Sequence, residues 1–458
     1  MTTMNIKVVD VTEIGDPQVL AMLQAFYSRS PMSIDKRIES LTKDGDGETA
    51  ADKIRNAIKR YYVDYGHASI GECGGATVFV EGISMLAAKA IQDHPLYVGQ
   101  ECSTRYIDFK DQPFISTSQQ SYAIGEELRD IYLKALPLAY DYALKHYPAS
   151  VVVSSKIPRD QVVAAHERTC KAIAFDYCRG ILPAGATTSV AWTASFRTFN
   201  DHLRHLAKHP LAEVRHLAAA IYAELSTRYQ SSFKQQALYS GASPVEFYYN
   251  MNPEQIEASV QSYWCPDVET FIRSLFNGLP TPSTRKHPSD NTMYFHIRGA
   301  LDFGSYRDLQ RHRNGENKMP LLTTLLGPHK FYAEALRSMD ESLSVRLARV
   351  MTMVNTLDEP LVDRQYVIPM GMRVPTHLTW SLGQLKYVLG LRTKTTVHPT
   401  LREYMWSVFD SLDFDPNNAQ LKIVRDILRG VIDRSPHYAT SDRGEQTIKE
   451  RPSGTTNS

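Results

Sequence analysis

Cysteine is scarce and unpaired in this sequence. Cys73, Cys102, Cys170, Cys178 and Cys265 are spread over 458 residues, and no two form a Cys-x-x-Cys pair. An odd number without paired spacing argues against a disulfide framework and a thiolate zinc site, so no metal is expected. It suits a reducing, cytoplasmic setting. Long apolar runs are missing as well. Nothing approaches the roughly 18–20 apolar residues of a membrane helix, and MTTMNIKVVDVTEIGD at the start does not read as a signal peptide. No membrane partner is expected. A charge surplus is also lacking: the formal net charge is +1, so the whole chain does not read as a nucleic-acid binder. Any anion site must come from local arginine and histidine clusters. Four chemical fingerprints are absent: G-x-G-x-x-G after a strand, the G-x-x-x-x-G-K-[ST] phosphate loop, H-E-x-x-H and G-x-S-x-G. A bound dinucleotide would be held without the usual glycine loop.

What is present is ordinary bulk and an internal repetition. The chain is 43% hydrophobic and 22% charged, as soluble globular proteins are, and long enough for two domains of about 200 residues. Three landmarks recur in the same order. The first is a strand running into a helix, over 76–97 and again over 293–314, with Gly82 and Gly299 after the strand residues. Each reaches a His-containing triplet: Asp93-His94-Pro95 and Arg311-His312-Arg313. The second is a Pro-x-Gly turn at Pro183–Gly185 and Pro369–Gly371, followed by Trp192 and Trp380. The third is a His-Pro pair, His209-Pro210 and His398-Pro399, opening an amphipathic helix, where proline suits the first position. Three landmarks in register predict two copies of one unit, 1–235 and 236–434, each with a few strands and then long helices. Helical periodicity marks 121–147, 159–180, 196–230, 330–356 and 400–431. The polar stretch 435–458 reads as a disordered tail.

Two segments concentrate chemistry. Arg311-His312-Arg313, with Arg307 before it, makes a compact cationic cluster that suits bidentate phosphate binding with a tunable histidine donor. The same cluster also suits a solvated helix end that complements the macrodipole. Gln100-Glu101-Cys102-Ser103-Thr104-Arg105-Tyr106 holds an amide, a carboxylate, hydroxyls and a guanidinium within seven residues. If extended, it places Glu101, Ser103 and Arg105 on one face and Cys102, Thr104 and Tyr106 on the other. That face suits a phosphate monoester or a nucleobase edge; a polar loop with an internal ion pair is the plainer alternative. Cys102 reads as a buried structural cysteine.

Gly66-His67-Ala68-Ser69-Ile70-Gly71-Glu72, the apolar strand, the helix and then Gln100–Tyr106 together resemble the flavin-dependent thymidylate synthases, whose motif reads RHRxxSxNExSxRY. The first half matches its end at Gln100, Glu101, Ser103, Arg105 and Tyr106, but keeps only His94 of the Arg-His-Arg. The second half keeps Arg311, His312 and Arg313 and lacks the rest. Arg179 lies four residues before the Pro183 turn, where the family has an arginine; Gln365 takes that place in the second half. Ser195 and Arg197 resemble the family's flavin-contacting Asn/Arg pair, and Arg392 its later nucleotide arginine.

The resemblance implies an α+β protein of two similar α/β units, each a small sheet plus long helices, forming a pseudo-dimer. The first repeat keeps the nucleotide loop and the second keeps the flavin motif. It implies reductive methylation of dUMP to dTMP with methylenetetrahydrofolate, FAD and NADPH, by homodimers of such pseudo-dimers. Ser103, Arg105 and Glu101 are the expected catalytic residues. Arg311, His312, Arg313, Ser195 and Arg197 are expected to hold FAD, and Gln100, Arg179 and Arg392 the nucleotide. A flavin-dependent pyrimidine nucleotide hydroxymethylase or other base-modifying enzyme, and an inactive paralogue, are the alternatives.

Overall fold

A computed structural model of the chain describes residues 16–27, 55, 56, 58–60, 68–105, 109–233, 259–263, 294–413 and 419–440. His67, Tyr106, Cys265 and positions 441–458 of the expected tail lie outside these residues.

In the first half the elements are α1 (Pro17–Tyr27), α2 (Ala68–Glu72), β1 (Gly75–Ser84), α3 (Met85–Gln92), β2 (Val98–Glu101), α4 (Gln119–His146), α5 (Val162–Cys178), β3 (Thr187–Ser195), α6 (Phe196–Leu206) and α7 (Ala212–Arg228). In the second half they are β4 (Ser259–Tyr263), β5 (Tyr294–Asp302), α8 (Phe303–Leu309), β6 (Glu316–Lys318), α9 (Lys330–Met339), α10 (Glu341–Thr356), β7 (Arg373–Ser381), α11 (Leu382–Arg392), α12 (Pro399–Asp410) and α13 (Ala419–Arg429). One sheet has the order β1-β3-β2 and the other β4-β5-β7-β6. The pairings of β2 with β3 and of β5 with β4 and β7 are antiparallel. The fold is α+β, and the run β1-α3-β2-α4-α5-β3-α6-α7 recurs as β5-α8-β6-α9-α10-β7-α11-α12, while β4 and α13 are additional in the second half.

The repetition extends to single hydrogen bonds. Each strand-to-helix switch is made by one capping side chain, which accepts the N–H three residues on: Ser84 from Ala87, Asp302 from Ser305, Ser195 from Thr198 and Ser381 from Gln384. Such a cap satisfies a donor that the first helical turn leaves unpaired. Gly82 and Gly299, expected just past the strands, lie inside them. The tryptophans are not equivalent. Counted back from the caps Ser195 and Ser381, Trp192 is the third residue and Trp380 the first. Both occupy buried positions on their strands, so the buried face is shared although the register differs. Several expected long helices are broken. At Asp340 the backbone is extended, and its carboxylate accepts from Ser342 and Leu343 to start α10 anew.

The described residues fall into two compact units. The first takes those of Met1–Glu81, Leu96–Glu101 and Ser189–Pro244; the second takes those of Gly82–Pro95, Cys102–Thr188 and Val245–Ser458. The division does not follow the repeat boundary expected at 235. The reason is that α4 and α5, although from the first half, pack with the second: Arg346 of α10 bonds Glu127 and Asp130 of α4 at 2.8 and 2.6 Å. In the first unit, Trp192 packs on Phe199 with ring centroids 4.4 Å apart. In the second, Phe295, Ile297, Leu378, Trp380, Leu401 and Met405 share one core.

Within the second unit the two Pro-x-Gly turns lie against each other. Pro183 bridges Pro369. Gly185 N–H donates to Tyr366 O as Gly371 N–H donates to Gly180 O, and Ala184 N–H donates to Ile368 O as Met370 N–H donates to Leu182 O. Each bond is the image of another under exchange of the halves. The symmetry continues outward: Met85 N–H reaches Ala186 O and Phe303 N–H reaches Met372 O, while Ile115 N–H reaches Gly185 O and His329 N–H reaches Gly371 O. The pseudo-dimer is a local two-fold built of backbone hydrogen bonds.

That close approach requires glycine. A Cβ on Gly371 would lie 2.8 Å from the Tyr332 ring and 2.9 Å from Gly180 O. Gly371→Val is therefore expected to lower stability by about 1–3 kcal/mol, as overpacking does. Gly390→Ala, where the nearest neighbour lies at 3.4 Å, is the control and should change stability little. Urea unfolding of both variants is the check.

Candidate active site

The nucleotide-loop segment does not run straight. β2 ends at Glu101, opposite Val190. The chain then turns, and Ser103 Oγ accepts the Arg105 N–H at 3.2 Å. The alternation expected through residue 105 stops at the strand end because this local side-chain bond replaces the ladder. Thr104 and Arg105 are buried, and Ser103 and Cys102 are half-buried. Cys102 is thus not the buried residue expected.

Arg105 is held rigidly. Its Nε and Nη2 reach the two oxygens of Asp176 at 2.7 and 2.9 Å, and Nη2 also reaches Thr396 O at 3.1 Å. Asp176, on α5, is fully buried. Burial pushes its carboxyl up, against the opposing pull of Arg105 and Arg179. The bidentate fork fixes the plane of the guanidinium as well as its position.

A second carboxylate gathers arginines from both halves. Arg179, almost wholly buried just after α5, sends Nη1 to Asp308 at 3.1 Å and Nη2 to Ser305 Oγ at 2.7 Å. Burial works against the Asp308 charge, but Arg179, Arg311, Arg105 and Arg392 hold its carboxyl well below the usual range. Behind Arg179 lies a polar core. Tyr332 OH donates to Asp302 at 3.0 Å, Ser305 bonds Thr400 at 2.6 Å, and the buried His398 meets Asp176 O at 3.0 Å.

His312 differs from its expected role. It is buried, and its Nε2 lies 2.7 Å from Arg392 Nε. A guanidinium can only donate, so Nε2 accepts and the ring proton sits on Nδ1. Burial first, and then the Arg392 charge, push its pKa down to about 3. It is a neutral acceptor that orients Arg392, not a cationic grip. Arg392 also sends Nη2 to Asp308 O at 2.6 Å. Among the described residues Arg392 forms no ion pair, and Arg311 beside it is exposed.

The structure therefore brings together Arg105, Arg179, Arg311, His312 and Arg392. Gln100 and Glu101 belong to the other compact unit, as do Ser195 and Arg197. The Ser195 hydroxyl caps α6 and bonds Glu72 at 3.1 Å, while Arg197 lies 3.4 Å from Glu72 and 3.6 Å from Asp201. On the opposite side of the two-fold, Gln365 stands for Arg179. Its Oε1 accepts from Leu322 N–H at 2.6 Å and its Nε2 donates to Leu322 O at 3.0 Å. There the place of a cation is taken by an amide tied to backbone.

Residues 7–231 match the family model described as thymidylate synthase complementing protein. The first half of this chain is thus similar to that family. A UPF0159 protein of Chlamydia pneumoniae is 25% identical over 82% of this chain and 83% of its own length. One from Chlamydia muridarum is 23% identical over 82% and 84%, and one from Thermoplasma acidophilum 20% identical over 82% and 87%. These likenesses extend well past residue 231, into the second repeat.

The half that matches this family model supplies Arg105, Asp176 and Arg179, and the second repeat supplies the rest. Sequence reasoning missed Asp176, Asp308, Ser305, Tyr332 and His398. One signal was available: Asp176 precedes Arg179, and Asp308 precedes Arg311, by three residues, a spacing that puts acid and base on neighbouring helical positions. His398 was visible only as a helix opener.

Histidine burial gives a testable pH dependence. Unfolded, His312 titrates near 6.5; folded, it is held near 3. The unfolded chain binds a proton that the native one refuses, so stability present above pH 6.5 is lost as pH falls toward 3, by at most about 1.4 kcal/mol per unit for this group. His312→Gln should flatten the slope of stability between pH 6.5 and 4.5 in urea titrations at fixed ionic strength. An unchanged slope contradicts a buried neutral His312.

Proposed function

We propose that the chain binds dUMP at the arginine cluster and methylates it reductively to dTMP, as a flavin-dependent thymidylate synthase. The observation that carries this reading is Arg392: a half-buried guanidinium without an ion pair among the described residues, next to the exposed Arg311. Burial lowers the Arg392 pKa against the opposing pull of the Asp308 charge, a desolvated cation is unfavourable, and a phosphate dianion would supply further balancing charge. Arg105 and Arg179 stand nearby, already oriented by Asp176 and Asp308. Preorganised charge-assisted donors of this kind position a nucleotide and stabilise charge that develops on its base.

In this reading Arg105, Arg179 and Arg392 take the phosphate, and Ser103 addresses the pyrimidine. Arg311 and Arg313 fit the diphosphate of FAD, and His312 acts through Arg392. Ser195 and Arg197 fit a flavin poorly, because cap and ion-pair contacts occupy them. When bound, FAD reduced by NADPH would supply the electrons that turn the methylene carried by methylenetetrahydrofolate into a methyl group. The protein acts in the cytoplasm as a homodimer of pseudo-dimers.

The engagement of Ser195 and Arg197 favours a second reading, an inactive paralogue without flavin. Absorbance of the purified protein separates the two: flavin bands support the enzyme, and a colourless protein that cannot be loaded with FAD supports the paralogue. Mass spectrometry of products from dUMP and dCMP distinguishes methylation from hydroxymethylation. Arg392→Ala is expected to weaken dUMP binding by about tenfold to a hundredfold, the range of one lost charge-assisted bond. Arg392→Lys should restore little, because lysine cannot reproduce the fork held by His312 and Asp308. Wild-type affinity in Arg392→Ala, measured calorimetrically, would remove Arg392 from the site.

A further inference from the structure

The stretch expected to be disordered from residue 435 is instead fixed as far as Thr440. Arg402, wholly buried on α12, donates to the carbonyls of Ser435 at 2.9 Å, Pro436 at 3.3 Å and Asp433 at 3.5 Å, and to Thr393 O at 2.8 Å. Trp406 Nε1 adds a bond to Asp433 O at 3.0 Å. A single arginine so ties the segment to the loop 393–398. That loop follows Arg392, carries the Thr396 carbonyl that holds Arg105, and ends at His398. Thr395 Oγ1 returns to Thr440 O at 3.3 Å, closing the tie from the far end.

Between these anchors lies Tyr438. It is 2% exposed, and its φ of 58° is left-handed. An aromatic residue rarely takes that conformation, and it persists only where surroundings enforce it. The enforced result is specific. The ring packs edge-on against Tyr147 at 5.2 Å, and the hydroxyl reaches 3.4 Å from Asp176 Oδ2, the oxygen that also bonds Arg105 Nη2. Burial, and then the nearby Asp176 charge, raise the phenol well above its ordinary pKa, so it stays protonated and donates.

We propose that residues 433–440 form a C-terminal strap whose Tyr438 positions the Asp176–Arg105 pair and, with the 393–398 loop, sets the spacing of Arg105 and Arg392 for a nucleotide phosphate. This rests on the nucleotide reading of the site. Tyr438 is a positioning residue: it acts through Asp176 and the loop.

The test compares the full-length wild type with Tyr438→Phe and Tyr438→Gly. Tyr438→Phe keeps the ring and removes the donor. Tyr438→Gly removes both and relieves the left-handed strain. Three readouts are taken: calorimetric affinity for dUMP, affinity for deoxyuridine, and hydrogen exchange of peptides spanning 102–105 and 393–398. The strap account expects dUMP affinity to fall about twofold to fivefold in Tyr438→Phe and about tenfold or more in Tyr438→Gly. Deoxyuridine affinity should hold, and exchange should rise in both peptides. Equal losses for dUMP and deoxyuridine, with a lowered melting temperature, would mean a purely structural role and overturn the proposal. Wild-type dUMP affinity with unchanged exchange overturns it too. If the wild type binds no dUMP, the nucleotide reading fails and exchange alone decides: faster exchange in the two peptides upholds the strap, and unchanged exchange refutes it.

Discussion

The backbone pairing of the two Pro-x-Gly turns is the constraint on which the rest depends. Four symmetric hydrogen bonds and the Pro183–Pro369 bridge lock the halves of one chain face to face. The contact is made by backbone, so it tolerates side-chain divergence everywhere except at the glycines, where a Cβ would strike the opposite turn. Arg179 lies four residues before Pro183, so the turn that pairs the halves also delivers Arg179 to Asp308 and Ser305 of the second half.

Fusion frees the two sides of a two-fold to differ. In a symmetric homodimer a substitution appears on both sides at once; here it appears on one. Arg179 faces a carboxylate, while its counterpart Gln365 is satisfied by Leu322 backbone. Arg311 and Arg313 have Asp93 and Pro95 as counterparts. The cations accumulate on one side, where Asp176 and Asp308 keep four guanidinium groups from repelling one another apart. Charges of one sign this close need such carboxylates, and the surplus left at Arg392 and Arg311 makes the side attractive to an anion.

Much of this was legible in the sequence. The repeated order of strand, helix, Pro-x-Gly turn and His-Pro opener was readable because each landmark serves a local backbone need: a cap, a tight approach, a helix start. Arg105, Arg179, Arg311, His312 and Arg392 were singled out through the resemblance to the flavin-dependent thymidylate synthases. What stayed hidden depends on tertiary partners. Nothing local says that His312 is neutral, since its burial against Arg392 is made by residues eighty positions apart. The turn at Ser103 was hidden because a hydroxyl bond to the backbone competes with strand extension without changing composition. Tyr438 was lost in a polar tail because one aromatic among Ser, Pro and Thr does not signal burial until Arg402 is seen gripping the chain before it.

The central claim is that one anion site per chain is assembled from both repeats. Equilibrium dialysis of radiolabelled dUMP against the full-length protein tests it most directly. The account predicts saturation at one nucleotide per chain. Saturation at two equivalent nucleotides per chain, with Gln365 in place of a cation on the opposite side, would contradict it.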